Sequence, residues 1–245
     1  MPHILQLDVS ARPGFAGKDL HGSHSRSLSQ RFVSQWLAQR PQDTTTYRDI
    51  GQHPPACVSH DLIAASFTPE AQREPWMHET LAESNQLADE LIAADILVIG
   101  VPMYNFGMPA ALKAWIDQVV RPGKTVDIDT SNPADPYTPL LADRPRHAII
   151  LSARGGVGFG PGGELEALNH LEPALITALG FMGITQIHQI AVEGQELGGE
   201  VLASSVAQAN AAASSTDPEV AGYQARLQAQ ISRTDNGLRQ LQNQK

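Results

Sequence analysis

Strand-like and helical segments alternate five times along this chain, and this alternation limits the possible fold more than any other feature. The segment Asp95–Val101 (DILVIGV) is apolar on both faces, which is typical of a buried parallel strand. Parallel neighbours need a crossover connection, and a helix is the usual one. The pattern therefore predicts an α/β fold, a doubly wound five-stranded parallel sheet with helices on both faces.

The spacing of apolar residues sets the expected bounds of each element. Leu28, Phe32 and Trp36, for example, recur at a helical interval. Strands are expected at His3–Val9, Thr44–Ile50, Asp95–Val101, His147–Ser152 and Ile184–Val192. Helices are expected at Ser25–Gln39, Thr68–Ala94 with a break or kink at Pro75, Pro109–Val120, Glu164–Leu179 ended by Gly180, and Leu197–Ala213.

Composition narrows the class of protein. A chain of 245 residues allows one or two domains, and we expect one domain at 1–213 followed by a tail at 214–245 that is a loosely attached helix or disordered. The net charge of −9 argues against a nucleic acid or an anionic membrane as the main partner. Cys57 is the only cysteine, and the first residues lack the pattern of a signal peptide, so a cytoplasmic location is expected.

Ligands of doubly wound sheets bind outside the carboxyl ends of the strands, near the switch in strand order. The first strand is followed by Ser10 and then by the segment SHSRSLS, from Ser23 to Ser29, which begins a helix. A helix N-terminus offers free N–H groups and partial positive charge, and small hydroxyls add donors, so this segment is suited to a phosphate. The alternative is simple capping of the helix by one serine.

Two further segments follow strands at the same edge of the sheet. In PMYNFGMP, after the third strand, flat rings can cover a heteroaromatic ligand and Asn105 can hydrogen-bond its edge; the alternative is an apolar cap over the core. In ARGGVGFGPGG, Ala153 to Gly163, the glycines let the backbone approach a ligand, and the alternative is a flexible surface loop. That all three segments meet at one edge favours a site for a flat, anionic ligand.

Other motifs fit less well. Gly158–Gly163 (GFGPGG) matches the dinucleotide fingerprint G-x-G-x-x-G, with Glu193 as the candidate acidic residue, although it follows the fourth strand rather than the first. A nicotinamide-binding dehydrogenase therefore remains an alternative function. The sequence shows no P-loop, no zinc-binding histidine pair and no hydrolase nucleophile motif, and no metal site is expected.

A family resemblance rests on several of these segments together. PMYNF followed by PAALKAWID, SHS at the start of the first helix, RGG after the fourth strand, and LGFMGIT at Leu179–Thr185 make the chain resemble the FMN-dependent NADH:quinone oxidoreductase and azoreductase family. The likeness runs from about His3 to Glu193. It implies a flavodoxin-like fold, a homodimer, and one FMN per subunit near the dimer interface.

The resemblance also implies a set of cofactor-binding residues. It assigns Ser10, Ser23, His24 and Ser25 to the FMN phosphate, Met103, Tyr104, Asn105 and Phe106 to the isoalloxazine ring, and Ala153, Arg154, Gly155 and Gly156 to the far edge of that ring. Phe159 and Phe181 are candidate walls of the acceptor pocket.

The expected activity is ping-pong transfer of two electrons from NADH or NADPH to a quinone or azo compound. No catalytic acid, base or nucleophile is expected, because the flavin carries the chemistry while the protein binds and orients it. Backbone N–H groups near Gly155 and Gly156 are expected to stabilise negative charge on the reduced ring. A non-catalytic, flavodoxin-like electron carrier is the other alternative function.

Overall fold

The structure, a computed structural model, describes residues 1–213; the predicted tail at 214–245 lies outside the described residues. Its centre is a five-stranded, fully parallel sheet, as the alternation of elements predicts. Its strands are β1 (His3–Asp8), β2 (Thr44–Asp49), β3 (Ile96–Pro102), β6 (His147–Ala153) and β7 (Gln186–Val192). They lie side by side in the order β2-β1-β3-β6-β7.

Helices cover both faces of the sheet. They are α1 (His24–Gln39), α2 (His60–Phe67), α3 (Pro75–Thr80), α4 (Ala82–Ala93), α5 (Ala110–Val119), α6 (Glu172–Met182) and α7 (Gly199–Ala213). Buried residues of α1 and α7 pack in one apolar cluster, and those of α4, α5 and α6 pack in another. No helix within 1–213 is both long and apolar enough to cross a membrane.

The central strand β3 supplies side chains to both clusters because successive strand residues point to opposite faces. Leu97 and Ile99 lie in the cluster under α4, α5 and α6, whereas Ile96 and Val98 lie in the one under α1 and α7. Every residue of β3 is buried. This explains why the segment reads as a continuous apolar run rather than as an alternating one.

The predicted helix at Glu164–Leu179 is wrong at both ends. Residues 164–171 contain only a short 3₁₀ turn, and α6 begins at Glu172, with a proline in its first turn. Gly180 lies inside the helix, and Gly183 ends it with a left-handed φ of 106°. A Cβ on Gly183 would lie 2.5 Å from the backbone nitrogen of Ala142, so only glycine fits there.

One helix and one hairpin were not predicted, and one predicted helical segment has more interruptions than expected. Helix α2 precedes the predicted segment Thr68–Ala94, and a short antiparallel hairpin, β4 (Val126–Ile128) with β5 (Tyr137–Pro139), follows α5. Within Thr68–Ala94 the first seven residues are not α-helical. Pro75 begins α3, which agrees with the predicted break.

Candidate functional site

A cleft of about 320 Å³ opens at the carboxyl ends of β1, β3 and β6. The chain passes from β1 to its neighbour β2 on one side and then returns to β3, which lies on the other side of β1. The strand order therefore reverses direction between β1 and β3. This is where ligands of doubly wound sheets bind. The cleft is lined by Ser10, Arg12, Ser23, Pro102, Met103, Tyr104, Asn105, Ala153, Gly155, Gln195 and Glu196.

The N-terminus of α1 forms the polar end of the cleft. Ser23 caps the helix: its Oγ accepts the Arg26 N–H at 3.3 Å and lies 3.0 Å from the Ser25 Oγ. Within 1–213, the backbone N–H groups of His24 and Ser25 donate to no protein acceptor. Free N–H groups, serine hydroxyls and the helix dipole together make a site suited to a phosphate.

Gly100 on β3 lets α1 lie this close to the sheet. A Cβ at that position would lie 2.6 Å from Asp8 Oδ1 and 2.9 Å from the carbonyl oxygen of Ser25. The first turn of α1 would have to move away from the strand to make room. Gly100 therefore fixes the depth of the polar end of the cleft.

The aromatic wall of the cleft is a tight turn. The backbones of Tyr104 and Gly107 exchange two hydrogen bonds of 3.0 Å, and the residues between them, Asn105 and Phe106, have φ values of 48° and 70°. Positive φ at both central positions is the mark of a type I′ turn, which suits Asn but strains Phe by about 1 kcal/mol or more. The Tyr104 hydroxyl accepts the Ala11 N–H at 3.3 Å and so joins this turn to the loop after β1.

The loop after β6 presents its backbone to the cleft. The carbonyl of Gly155 accepts the Glu196 N–H at 3.0 Å, and that of Gly156 accepts the Gly194 N–H at 2.8 Å. In the part of the chain that the structure describes, the N–H groups of Gly155 and Gly156 have no protein acceptor. The role expected for them, donation to negative charge on a bound ring, stays a prediction.

The Arg154 side chain points into the protein instead. Its guanidinium is buried, donates to Glu193 Oε1 at 2.8 Å and pairs with the buried Glu172. Glu193 also accepts the N–H groups of Gly158 (3.1 Å) and Phe159 (3.2 Å), which fixes the glycine-rich loop. Arg154 therefore offers the cleft only its backbone.

A buried ionic network lies beneath the polar end of the cleft. Arg26, on the first turn of α1, donates to both carboxylate oxygens of Asp49, at 2.6 and 2.8 Å, and lies 3.6 Å from Asp8. Asp8 also accepts the hydroxyls of Ser29 at 2.5 Å and Tyr47 at 3.1 Å. The network joins α1 to β1 and β2.

Burial and pairing shift the acidities in this network. Burial raises the pKa of Asp8 to about 6, although the Ser29 hydrogen bond and Arg26 oppose the shift. Burial is the largest single influence on Asp49 and acts to raise its pKa, but the hydrogen bond and charge of Arg26, together with hydrogen bonds from Gln52 and Tyr47, leave that pKa below its usual value. On the first turn of α1, burial and then the charge of Arg12 lower the pKa of His24.

The structure brings most of the predicted cofactor-binding residues together. Seven line the cleft directly: Ser10, Ser23, Met103, Tyr104, Asn105, Ala153 and Gly155. Five others adjoin these along the chain without lining it: His24, Ser25, Phe106, Arg154 and Gly156. His24 also lines a neighbouring pocket between α1 and α7.

Sequence reasoning missed Arg12, Pro102, Gln195 and Glu196, which also line the cleft. Arg12 lies in the loop between Ser10 and Ser23, where an exposed cation near a proposed phosphate site was a usable signal. Gln195 and Glu196 follow β7, whose loop carries no distinctive motif.

The two candidate acceptor-pocket residues do not share a pocket within one chain. Phe159 is buried, and its ring centroid lies 6.3 Å from that of Phe106, close to the cleft. Phe181 is exposed and packs edge-on against Tyr137 at 5.2 Å, where it lines a separate apolar groove of about 410 Å³. Neither residue lines the 320 Å³ cleft, although Phe159 contacts the ring of Phe106 next to it.

The geometry does not favour the dinucleotide alternative. The loop Gly158–Gly163 opens no helix, since α6 begins only at Glu172. Glu193, the candidate acidic residue, is occupied by Arg154 and by two N–H groups of the same loop. No cluster of three or more potential metal ligands occurs in residues 1–213.

Strand order and cleft together define a flavodoxin-like protein. A family model described as "Flavodoxin-like fold" matches residues 9–216. The azoreductase from Bacillus anthracis superposes with a TM-score of 0.71 over 87% of this chain and 99% of that one; at 23% identity this likeness concerns the fold alone.

Sequence relatives identify the family within this fold. The chain is 48% identical over 210 residues to FMN-dependent NADH:quinone oxidoreductase 1 of Pseudomonas fluorescens. The matched region covers 85% of this chain and 95% of that protein. The chain is also 45% identical over 200 residues to FMN-dependent NAD(P)H:quinone oxidoreductase 1 of Pseudomonas aeruginosa, covering 81% and 90%. The chain belongs to the family of FMN-dependent NADH:quinone oxidoreductases, as the sequence motifs predict.

Proposed function

We propose that this chain is an FMN-dependent oxidoreductase that passes two electrons from NADH or NADPH to a quinone or azo compound. The observation that carries the proposal is the cleft at the switch between β1 and β3, with phosphate-binding donors at one end and a ring-sized wall at the other. Relatives that are named for this activity match 85% and 81% of this chain. We take 1–213 to be the FMN-binding domain.

The donors of the cleft fit FMN. The hydroxyls of Ser10 and Ser23 and the N–H groups at the start of α1 would hold the phosphate, with Arg12 at the rim adding positive charge. The turn Met103–Phe106 would cover the isoalloxazine ring. Bound FMN would supply the redox chemistry, accepting a hydride from the nicotinamide and returning two electrons to the acceptor.

The protein's own part is to bind, orient and stabilise. The unpaired N–H groups of Gly155 and Gly156 would donate to negative charge on the ring, and removal of one such donor typically costs on the order of 3 kcal/mol of barrier height. Within the cleft we assign no catalytic acid or base. Because donor and acceptor would enter through the same mouth, we expect ping-pong kinetics.

The direct test is the visible spectrum of the purified protein followed by steady-state kinetics. We expect flavin absorbance bands, release of FMN on denaturation, and continuous NADH or NADPH oxidation with a soluble quinone that gives parallel double-reciprocal lines. A non-catalytic electron carrier would be yellow but would not sustain turnover. A protein that is colourless and takes up no added FMN would contradict the proposal.

We also propose that the protein is a homodimer in the cytoplasm. Five apolar side chains lie exposed around the 410 Å³ groove: Val58, Ile63, Phe67, Tyr137 and Phe181. Such a patch on a soluble domain commonly marks an interface. Phe181 would then reach an acceptor only in the partner's cleft. The cytoplasmic location is supported by the single cysteine, Cys57, which is free and exposed.

A further inference from the structure

Arg26 is the most highly connected buried charge in the described chain, and no part of the proposed chemistry uses it. Its side chain is 2% exposed and hydrogen-bonds the backbone of Ser10 and Arg12, in the loop that follows β1. Burying a guanidinium is expensive unless every donor is satisfied. The burial of Arg26 therefore points to a specific role for its side chain at this position.

All five N–H donors of the guanidinium are occupied by protein acceptors. Nε donates to the carbonyl of Arg12 at 2.7 Å, and Nη2 donates to the carbonyl of Ser10 at 2.7 Å. The remaining three bonds go to Asp49, twice, and to the Tyr47 hydroxyl at 3.2 Å. No N–H is left for a ligand, so Arg26 cannot itself bind a phosphate in this geometry.

The two carbonyl bonds nevertheless bear on phosphate binding. Carbonyl oxygens carry partial negative charge and would repel a phosphate if they faced the cleft. Arg26 holds those of Ser10 and Arg12 turned inward, so the outer side of the loop presents the Ser10 hydroxyl and the Arg12 side chain. Asp49 fixes the plane of the guanidinium through its paired bonds.

We propose that Arg26 is a positioning residue that shapes the loop at Ser10–Arg12 for the phosphate group of the flavin, without touching it. This inference rests on the proposed function. Lysine cannot replace Arg26, because its single ammonium has three donors and cannot hold a carboxylate fork and two carbonyls together.

The test compares FMN with riboflavin, which carries the same ring but no phosphate. Dissociation constants for both are measured by flavin fluorescence on refolded or flavin-stripped full-length protein, for wild type, Arg26→Lys and Asp49→Asn. We expect both variants to bind FMN at least tenfold more weakly and riboflavin nearly as well as wild type. The ³¹P resonance of bound FMN should also shift in both variants.

Arg31→Lys is the matched control, since Arg31 lies exposed on the same helix and should leave both affinities unchanged. Circular dichroism and thermal melting report whether the variants fold; Asp49→Asn keeps the arginine in place if Arg26→Lys does not fold. Equal losses for FMN and riboflavin, or unchanged FMN affinity, would overturn the inference. Wild-type protein that binds neither flavin would refute the proposed function itself and this inference with it.

Discussion

At the scale of single residues, Asp8 shows how the site and the stability of the chain are coupled. Its carboxylate is buried beneath the polar end of the cleft and accepts bonds from Ser29 and Tyr47. Burial raises its pKa from 3.8 to about 6. A carboxyl group whose pKa is raised on folding favours the folded state below pH 4 and loses that advantage as pH rises through 6.

Asp8→Asn removes this titration. A shift of this size corresponds to about 3 kcal/mol, so between pH 4 and pH 7 the stability of the variant relative to wild type should rise by about that amount. Any loss from altered hydrogen bonds should be present at both ends of the range. Urea unfolding of flavin-stripped protein across this range measures the difference.

Asp135→Asn, which changes an exposed carboxylate outside the network, provides the baseline for that comparison. A difference between Asp8→Asn and wild type that stays constant from pH 4 to pH 7 would show that Asp8 is ionised in the fold without penalty.

At the scale of elements, the glycine-rich loop after β6 depends on a residue from the neighbouring strand. Glu193, just beyond β7, accepts two N–H groups of the loop and the guanidinium of Arg154. Glu193→Gln keeps the shape of the side chain but removes its charge. A hydrogen bond to a charged group is worth about 1.5–3 kcal/mol. We therefore expect the free energy of unfolding of Glu193→Gln to fall by roughly the value of one such bond.

Glu193 holds the backbone of Phe159, which contacts Phe106 and is a candidate wall of the acceptor pocket. The same variant should therefore raise the KM for the quinone severalfold while FMN affinity changes little. Stopped-flow and steady-state assays separate these effects. Glu164→Gln, an exposed glutamate in the same loop, is the control and should match wild type. A loss of FMN affinity as large as the change in KM would mean that Glu193 supports the whole site rather than this wall.

The elements also show how far the sequence predicts this fold. The central strand β3 follows from its apolar run, because a strand buried in a parallel sheet needs apolar side chains on both faces. The edge strand β2 follows instead from its β-branched, alternating residues, and none of its residues is fully buried. The segment 164–171, predicted to be helical, contains Glu, Leu and Ala residues whose intrinsic preference is for a helix. Tertiary contacts override that preference: Asn169 donates to the Phe159 carbonyl at 3.1 Å, and His170 N–H donates to the Phe106 carbonyl at 2.8 Å.

Short elements gave too little pattern to be recognised. The hairpin strands β4 and β5 have three residues each, and α2 has eight. At the site, the residues after β1, β3 and β6 were predictable from their types, because hydroxyls, rings and glycines are informative. Gln195 and Glu196 were not, since only the position of β7 in the sheet brings their loop to the cleft.

At the scale of the whole molecule, the exposed apolar patch around the 410 Å³ groove predicts where two copies meet. Phe67, the last residue of α2, has 66% of its surface exposed, more than any other apolar residue of this patch. In a twofold dimer each interface residue occurs twice, so burial of the exposed two thirds of Phe67 would contribute about 2–4 kcal/mol to association.

Phe67→Glu replaces that contribution with two buried carboxylates, and the dimer should weaken by at least about 100-fold. Sedimentation velocity over a range of concentrations measures the change. Leu20→Glu is a matched control, because Leu20 is an equally apolar residue, 89% exposed in the loop before α1, and lines no part of the groove. If Leu20→Glu dissociates the dimer and Phe67→Glu does not, the interface lies on the side of α1. If wild-type protein is monomeric at every concentration, the groove has another use, and Phe181 then has no route to an acceptor.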